Sequence, residues 1–184
     1  MTKQEALSLI QQNLKNQNLI KHSLAVSACM EGLAKYFKED EEKWTVAGLL
    51  HDIDYEKTKD DMKNHSKLGY EMLKNIGFDE DICKAVLTHN DIHKIPPQNL
   101  MAKALYCVDP LTGLIVASTL VLPDKKIGSL NTQNILNRFK EKSFAKGANR
   151  ETILKCEEFL NISLEDFISI CLNSMQNISS DLGL

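Results

Sequence analysis

Residues 47–56 of the chain have the sequence AGLLHDIDYE. The apolar run that ends at Leu50 leads directly into His51 and Asp52, and a second acid, Asp54, follows two residues later. A polar side chain on an apolar helix face costs roughly 1–3 kcal/mol to bury when it has no partner. Packing alone does not explain an adjacent His–Asp pair at the end of an apolar helix, so we interpret the pair as functional.

Apolar residues recur with a helical period on both sides of this stretch. Val26, Met30, Leu33 and Phe37, for example, form a stripe at positions i, i+4, i+7 and i+11. The pattern predicts an all-α fold. The expected helices cover about 2–15, 19–38, 40–54, 66–76, 79–89, 99–108, 111–122, 131–142, 148–160 and 163–179.

Capping and helix-breaking residues mark the ends of these helices. Gly77 is expected to follow the fourth helix in the left-handed conformation that ends many helices. Pro110 does not fit the interior of a straight helix and predicts a kink or a break. A buried strand is the alternative for residues 111–122, which are rich in Ile, Val and Thr. N-caps are predicted at Thr2, Asp40, Asp79 and Ser163.

The length and composition suit one domain. The chain has 184 residues, of which 43% are hydrophobic, and only residues 123–130 have a linker-like composition. We therefore expect a single domain over residues 1–184, with a core at about 19–112 and a C-terminal helical layer at about 123–184.

Charge and cysteine content indicate a cytoplasmic protein. The formal net charge is −3, which gives no strong signal for nucleic-acid or membrane partners. The five cysteines include no C-x-x-C pair and are interpreted as reduced, buried thiols. The N-terminal stretch MTKQEALSLIQQ lacks the apolar region of a signal peptide, and the longest apolar stretch, 114–122, is too short to cross a bilayer. The sequence does not indicate an oligomeric state.

Histidines and acids interrupt the apolar faces of several predicted helices. His22 shares a face with Val26, His89 follows Val86 by three residues, and Asp109 follows Leu105 by four. A lone histidine on such a face is more commonly a core residue with a hydrogen-bonded ring. A shared metal ion would instead satisfy several of these groups at once, because neutral imidazole is a common metal ligand.

The order His, His–Asp and distant Asp resembles the HD superfamily of metal-dependent phosphohydrolases. The matching residues are His22 in IKHSLAVS, His51 and Asp52 in AGLLHDIDYE, and Asp109 in ALYCVDPLTG. The resemblance covers roughly residues 19–112 and implies an HD-domain helical bundle, here with additional C-terminal helices. It also implies that these four residues bind a divalent metal ion. The strings DPLTGLIVASTLV and KSFAKGANRE resemble a group of small prokaryotic predicted HD hydrolases.

The same resemblance implies a second metal ion. His65 in NHSKLGYEML and His89 in VLTHND match the histidines that bind the second ion in dinuclear members, with Asp52 as the bridging carboxylate. We therefore expect one or two ions per chain. Mixed nitrogen and oxygen ligands favour Mn²⁺, Fe²⁺, Co²⁺, Ni²⁺ or Zn²⁺ over Mg²⁺ and Ca²⁺.

Further residues are candidates for catalysis and substrate binding. Asp52 and Asp54 are the candidate catalytic acids; Asp54 could orient water or act as a general base, or it could be a helix-end acid. His93 could contact substrate or be an exposed loop histidine. Arg150, Lys146 and Lys142 could bind a phosphorylated small-molecule substrate, or they could form a solvated helix face.

The expected activity is hydrolysis of a phosphomonoester or nucleotide-like small molecule by metal-activated water. Two alternatives remain open from the residues. One is a di-iron oxygenase, which uses the same fold and similar ligands. The other is a non-catalytic HD module for sensing or interaction.

Overall fold

The computed structural model describes residues 2–184, and within this range the chain forms eleven α-helices, two short 3₁₀ turns and no β-strand. The predicted all-α class is therefore confirmed. The helices are α1 (Lys3–Asn13), α2 (Gln17–Phe37), α3 (Glu41–Leu50), α4 (Tyr55–Thr58), α5 (Lys67–Asn75), α6 (Glu80–Thr88), α7 (Leu100–Leu120), α8 (Thr132–Lys140), α9 (Arg150–Leu160), α10 (Leu164–Asn177) and α11 (Ser179–Leu182).

The predicted helix caps are confirmed, because capping depends on residues close in sequence. Thr2 and Glu5 form a reciprocal capping box at the start of α1. Gly77 has a φ of +83° just after α5, a conformation that glycine adopts without steric strain. The side chains of the other three predicted caps each accept a backbone N–H in the first turn of their helix: Asp40, Asp79 and Ser163.

The third helix is shorter than predicted, and this places the His–Asp pair. Helix α3 ends at Leu50, residues 51–54 form turns, and the single-turn helix α4 follows. His51, Asp52 and Asp54 therefore lie in a bend that directs their side chains inward, and His51 and Asp54 have no exposed surface.

Of the kink or break predicted at Pro110, the break is wrong, since α7 is continuous from Leu100 to Leu120, while the kink stays a prediction. The alternative strand at 111–122 is wrong for the same reason. Proline has no N–H, so the carbonyl of Tyr106 loses its usual helical partner. Tyr106 and Pro110 both line the cavity beside the buried histidines. Burial of Leu105, Leu111 and Leu114 on the other sides stabilises the helix.

Helices α2 and α7 form the centre of the bundle. Helix α2 packs against α3, α7 and α10, while α7 also contacts α6, α8 and α9. By length and composition α7 is the one helix among residues 2–184 that could span a membrane, with a mean hydropathy of 1.5. This helix is longer than the apolar stretch considered from the sequence, and its apolar residues form core contacts inside the bundle.

A close approach of α2 and α3 sets the position of His51. A Cβ atom at Gly48 would lie 2.9 Å from the Cα of Ser27 and 2.9 Å from the Cγ of Met30. Only glycine lets the backbones come this close. The hydroxyl of Ser27 also donates to the carbonyl of Thr45, 2.9 Å away, and holds the two helices together.

The C-terminal helices cover both central helices. Helix α9 packs along α7, and α10 packs against α2. The carbonyls of Ile127 and Leu130 accept the side-chain amide of Gln176 at 3.0 Å each, which fixes the connection before α8 to α10. This layer is therefore packed against the helices that carry His22 and Asp109.

Candidate metal centre

Five segments bring the predicted metal ligands to one place. His22 comes from α2, His51 and Asp52 from the bend after α3, and Asp109 from α7. His65 and His89 come from the ends of two loops, just before α5 and just after α6. A cavity of about 400 Å³ opens onto this cluster. The cluster residues that line the cavity are His22, Asp52, His65, His89 and Asp109.

The carboxylate of Asp52 lies between two pairs of histidines. Its Oδ2 is 3.7 Å from Nε2 of His22 and 3.4 Å from Nε2 of His51. Its Oδ1 is 3.2 Å from Nε2 of His65 and 3.4 Å from Nε2 of His89. One oxygen thus faces each pair, which is the arrangement a carboxylate needs to bridge two cations.

Asp109 joins the first pair. Its Oδ1 lies 3.0 Å from Nε2 of His22 and 3.8 Å from Nε2 of His51, and the two imidazole nitrogens are 3.2 Å apart. Metal–ligand bonds of about 2.0–2.2 Å set neighbouring ligand atoms roughly 3–3.6 Å apart. Two of the three separations fall in this range and the third, at 3.8 Å, is slightly longer, so the donor atoms lie close enough together to surround a single divalent ion.

Each histidine of the cluster is held through its Nδ1. Thr112 donates its hydroxyl proton to the carbonyl of Asp109 at 2.8 Å, so its oxygen is free to accept the Nδ1 proton of His22. With Nδ1 carrying the proton, Nε2 presents its lone pair to the cluster. The Nδ1 contacts are His22 to Oγ1 of Thr112 (3.3 Å), His51 to the carbonyl of Gly48 (2.8 Å), His65 to Oδ1 of Asp54 (3.1 Å) and His89 to the carbonyl of Val86 (2.6 Å).

The electrostatics of the cluster fit a cation. Burial lowers the pKa of His51 to about 4, so its imidazole is neutral and able to bind metal. Burial also opposes protonation of His65, but hydrogen bonds to Asp52 and Asp54 outweigh it and raise the pKa of His65 to about 9. Burial alone would raise the pKa of Asp52, yet the surrounding imidazoles hold it well below its ordinary value. A divalent ion would replace the protons that these groups otherwise share.

The family comparison agrees with this geometry. Residues 19–116, slightly more than half of the chain, match the HD domain family and include every residue of the cluster. The chain belongs to the HD domain family. The resemblance inferred from the sequence is thereby confirmed.

Relatives of this HD protein include nucleases of much greater length. It is 31% identical to ribonuclease Y of Oleidesulfovibrio alaskensis over 98 residues, which are 53% of this chain and 18% of that protein. It is 30% identical to ribonuclease Y of Nitratidesulfovibrio vulgaris over 139 residues, which are 74% of this chain and 26% of that protein. An uncharacterized protein of Methanocaldococcus jannaschii is 35% identical over 91 residues, 47% of this chain and 52% of that protein.

These similarities support a metal-dependent hydrolase family and a cluster that could hold a divalent metal. They also correct one expectation. The net charge gave no sign of a nucleic-acid partner, but two of these relatives are named ribonucleases, so the absence of a nucleic-acid signal is not supported.

Asp54, two residues after the His51–Asp52 pair, has a different position from the one expected of a general base. It has no exposed surface, and its Oδ1 accepts the proton of His65 Nδ1. Its Oδ2 accepts the backbone N–H of Gly69 at 3.0 Å, in the first turn of α5. Both oxygens are thus engaged away from the cavity, and Asp54 acts on His65 rather than on water.

The backbone beside His65 is also constrained. Ser66 has a φ of +64°, which is rare for a residue with a side chain and costs of order 1–3 kcal/mol. Its hydroxyl donates to the carbonyl of Leu87 at 3.1 Å, and Nε2 of His93 donates to the carbonyl of His65 at 2.6 Å. His93 therefore supports the His65 backbone, and it does not face the cavity as a substrate contact would.

Arg150 is occupied by the backbone, which overturns its expected role. Its guanidinium donates at 2.7 Å to the carbonyls of Phe144, Ala145 and Ala148. Weaker contacts at 3.4 Å reach two more carbonyls. The guanidinium has five N–H donors in total, so these contacts occupy its hydrogen-bonding capacity. Arg150 closes the loop between α8 and α9 and is not free to grip a phosphate.

The two candidate lysines lie outside the metal cavity. Lys142 and Lys146 are exposed and line a separate open depression of about 800 Å³. This depression shares only Gly147 and Asn149 with the lining of the metal cavity. The structure therefore does not bring these lysines to the cluster.

Sequence reasoning missed several residues that the fold adds to the site. Thr112 orients His22, and the ring of Tyr55 packs edge-on against His65 at 5.3 Å between ring centroids. Neither position carries a signal in the sequence, because both contacts depend on how separate helices pack. The cavity lining also includes residues that the sequence did not single out: Asp91, Tyr106 and Thr152.

Proposed function

We propose that this HD protein is a metal-dependent phosphohydrolase acting on a phosphomonoester or nucleotide-like small molecule. The observation that carries the proposal is the orientation of the four clustered histidines. Each has its Nδ1 tied to an oxygen and its Nε2 directed at Asp52 or Asp109. Imidazoles that are preorganised in this way, together with two carboxylates, form a donor set for divalent transition metals.

The geometry of Asp52 supports a dinuclear assignment. In this proposal His22, His51 and Asp109 hold one ion together with Oδ2 of Asp52. His65 and His89 hold the other together with Oδ1 of Asp52. Mn²⁺, Fe²⁺, Co²⁺, Ni²⁺ and Zn²⁺ suit this mixture of nitrogen and oxygen ligands.

The chemistry follows from the ligands and from the cavity. A divalent ion bound here would supply Lewis acidity toward a phosphoryl oxygen and toward water. The chain itself orients the ligands: Asp54 holds His65, and Thr112 holds His22. The half-open cavity leaves room for a small phosphate ester on the exposed side of the cluster, next to Asp109. Asp52 is thus a ligand, and Asp54 is a positioning residue.

The buried, unpaired cysteines support a cytoplasmic location for the enzyme. Packing of α8–α11 on α2 and α7 supports a single domain over residues 1–184. Both remain part of the proposal.

A nuclease activity is the second candidate function. It is favoured by the similarity to ribonuclease Y over 139 residues. The chain spans 26% or less of these ribonucleases, so their activity is a proposal for this protein. The di-iron oxygenase and the non-catalytic module remain rivals with the same ligands.

Phosphate release and bound metal, measured together, test the proposal. The full chain is loaded in turn with each of the five metals and assayed against p-nitrophenyl phosphate, a panel of nucleotides and a short RNA. Elemental mass spectrometry counts the ions in the wild type, in Asp52→Asn and in the matched control Asp60→Asn, which changes an exposed carboxylate in the loop after α4.

Each outcome favours one function. Phosphate release from the small esters, lost in Asp52→Asn and kept in Asp60→Asn, supports the phosphohydrolase. Cleavage of RNA alone supports the nuclease. Bound iron with oxygen consumption and no phosphate release supports the oxygenase, and full metal occupancy without any turnover supports the non-catalytic module.

A further inference from the structure

A carboxylate lies on the wall of the metal cavity without belonging to the cluster. Asp91 is exposed, two residues after His89, in the 3₁₀ turn Asp91–His93. Its Oδ1 accepts the phenol proton of Tyr106 at 2.5 Å, and its Oδ2 lies 3.5 Å from the hydroxyl of Thr152. All three residues line the cavity. Residues from α7 and α9 therefore converge on this carboxylate, which comes from the loop after α6.

Tyr106 connects this carboxylate to the metal cluster. It lies three residues before Asp109 on α7, so the two side chains are neighbours on the same helix face. Burial and the hydrogen bond to Asp91 raise the pKa of Tyr106 to about 12. The phenol is therefore a hydrogen-bond donor at neutral pH, and Asp91 is its acceptor.

The charge of Asp91 limits what it can face. A phosphoryl group carries negative oxygens, which a carboxylate repels and a divalent cation attracts. The phosphoryl group therefore belongs at the histidine end of the cavity, and another part of the ligand must face Asp91. Each carboxylate oxygen has about two acceptor sites, so both oxygens of Asp91 can take a further proton donor.

We propose that Asp91 is a substrate-binding residue that accepts hydrogen bonds from hydroxyl groups on the leaving group of the phosphate ester. The inference rests on the proposed phosphohydrolase function. It defines the substrate class as a phosphate ester of a hydroxyl-bearing alcohol. A cavity of about 400 Å³ has room for a small molecule of this kind. Thr152 lies outside residues 19–116, so this selectivity comes from the C-terminal layer as well as from the family core.

A purely structural role for Asp91 makes a different prediction. In that case its only task is to tie Tyr106 to the loop after α6. Asp91→Asn separates the two roles, because the amide oxygen still accepts the Tyr106 proton while the negative charge is lost. A structural tie would survive this change, whereas charge-assisted binding of hydroxyl groups would weaken.

The test is ligand binding to the Mn²⁺-loaded full chain by isothermal titration calorimetry. The ligands are dihydroxybutylphosphonate, with hydroxyls on its last two carbons, and butylphosphonate, which lacks them. Neither has a phosphate ester bond to hydrolyse. The matched control is Asp124→Asn, which changes an exposed carboxylate that accepts the hydroxyl of Ser129 and does not line the cavity.

The wild type is expected to bind the dihydroxy ligand about tenfold more tightly than butylphosphonate, the factor for roughly one hydrogen bond to a charged group. Asp91→Asn should bring the ratio of the two affinities close to one, and Asp124→Asn should keep the wild-type ratio. A ratio near one in the wild type, or a ratio that Asp91→Asn does not change, overturns the inference. If the protein releases phosphate but binds the two phosphonates equally well, only the role of Asp91 is refuted. If it prefers the dihydroxy ligand in an Asp91-dependent way but releases no phosphate, only the proposed hydrolysis is refuted. Failure of both phosphonates to bind refutes the inference as well.

Discussion

Oδ1 of Asp54 lies 3.1 Å from Nδ1 of His65, and the same carboxylate accepts the backbone N–H of Gly69 through its other oxygen. A Cβ atom at Gly69 would lie 3.3 Å from Oδ1 and 3.3 Å from Cγ of Asp54, so glycine permits this close approach. The second acid of the HDID sequence thus fixes the ring of a candidate ligand that is eleven residues away. A partner of this kind sets the tautomer of the imidazole and raises its basicity.

Replacing Asp54 should therefore weaken one metal position more than the other. We expect Asp54→Asn to lower the affinity of the ion at His65 and His89 about 10–100-fold, the usual effect of losing such a partner. Elemental mass spectrometry at limiting metal should then find about one ion per chain in place of two. Asp60→Asn, in the exposed loop after α4, is the matched control and should keep both ions. Equal occupancy in Asp54→Asn and the wild type would contradict the role assigned to Asp54.

Thr112 should affect the other metal position. Thr112→Val keeps the shape of the side chain but removes the oxygen that accepts the Nδ1 proton of His22. We expect about tenfold weaker binding of the first ion, measured by competition with a chelator. Thr119→Val is the control, because Thr119 is equally buried in α7 and its hydroxyl donates only within the helix, to the carbonyl of Ile115. Similar losses in both variants would mean that the effect is general to α7.

Two glycine substitutions should have opposite effects on stability. Gly48→Ala places a Cβ against the Ser27 backbone and should lower the free energy of unfolding by about 1–3 kcal/mol. At Gly113, in the exposed part of α7, a Cβ would meet no atom within 4 Å. Gly113→Ala should raise the free energy of unfolding by about 0.5–1 kcal/mol, since alanine favours the helix. Urea denaturation of both variants checks the signs, and a stable Gly48→Ala protein would refute the close α2–α3 contact.

Arg150 is expected to contribute to stability and not to phosphate binding. Lysine has no planar fork to reach several carbonyls, so Arg150→Lys should lower the free energy of unfolding by about 1–3 kcal/mol. The affinity for inorganic phosphate, measured by calorimetry on metal-loaded protein, should stay the same. Arg138→Lys, at a partly exposed arginine paired with Glu141, should change stability by less than about 0.5 kcal/mol. Weaker phosphate binding in Arg150→Lys would restore the role expected from the sequence.

The cysteines should resist alkylation in the folded protein. All five are buried, and burial raises the pKa of Cys107 above its ordinary value and that of Cys156 to about 12. Because the thiolate is the reactive form, raising the pH from 7 to 9 should increase iodoacetamide labelling very little. Mass spectrometry should count five adducts only after denaturation in urea. Rapid labelling of the native protein at pH 9 would show that a thiol is accessible.

Local features of the fold were predictable from the sequence, and long-range contacts were not. The capping box at Thr2 and the cap at Ser163 depend on residues three positions apart, so their patterns can be read directly. Helix α7 was divided wrongly at Pro110 because the stabilising burial of Leu105 and Leu111 comes from tertiary packing.

The same distinction applies to the candidate site. His51 and Asp52 form a local motif, and the family resemblance supplied the more distant ligands. The tasks of Asp54 and Arg150 depend on which backbone groups surround them after folding. From the sequence, Asp54 beside the His–Asp pair and Arg150 in a basic stretch both suggest a direct role in function. Their backbone partners in the folded protein show that each has a structural contact instead.

The position of the Asp52 carboxylate between two pairs of histidines has a thermodynamic consequence. Because its two oxygens face different pairs of histidines, two bound ions would share one negative group and could not bind independently. Each ion would change the charge and orientation that the other encounters. Linkage then requires reciprocity: the factor by which the first ion alters the affinity for the second equals the factor in the opposite direction. The titration curve of the protein with metal would carry this coupling as a departure from two identical, independent sites.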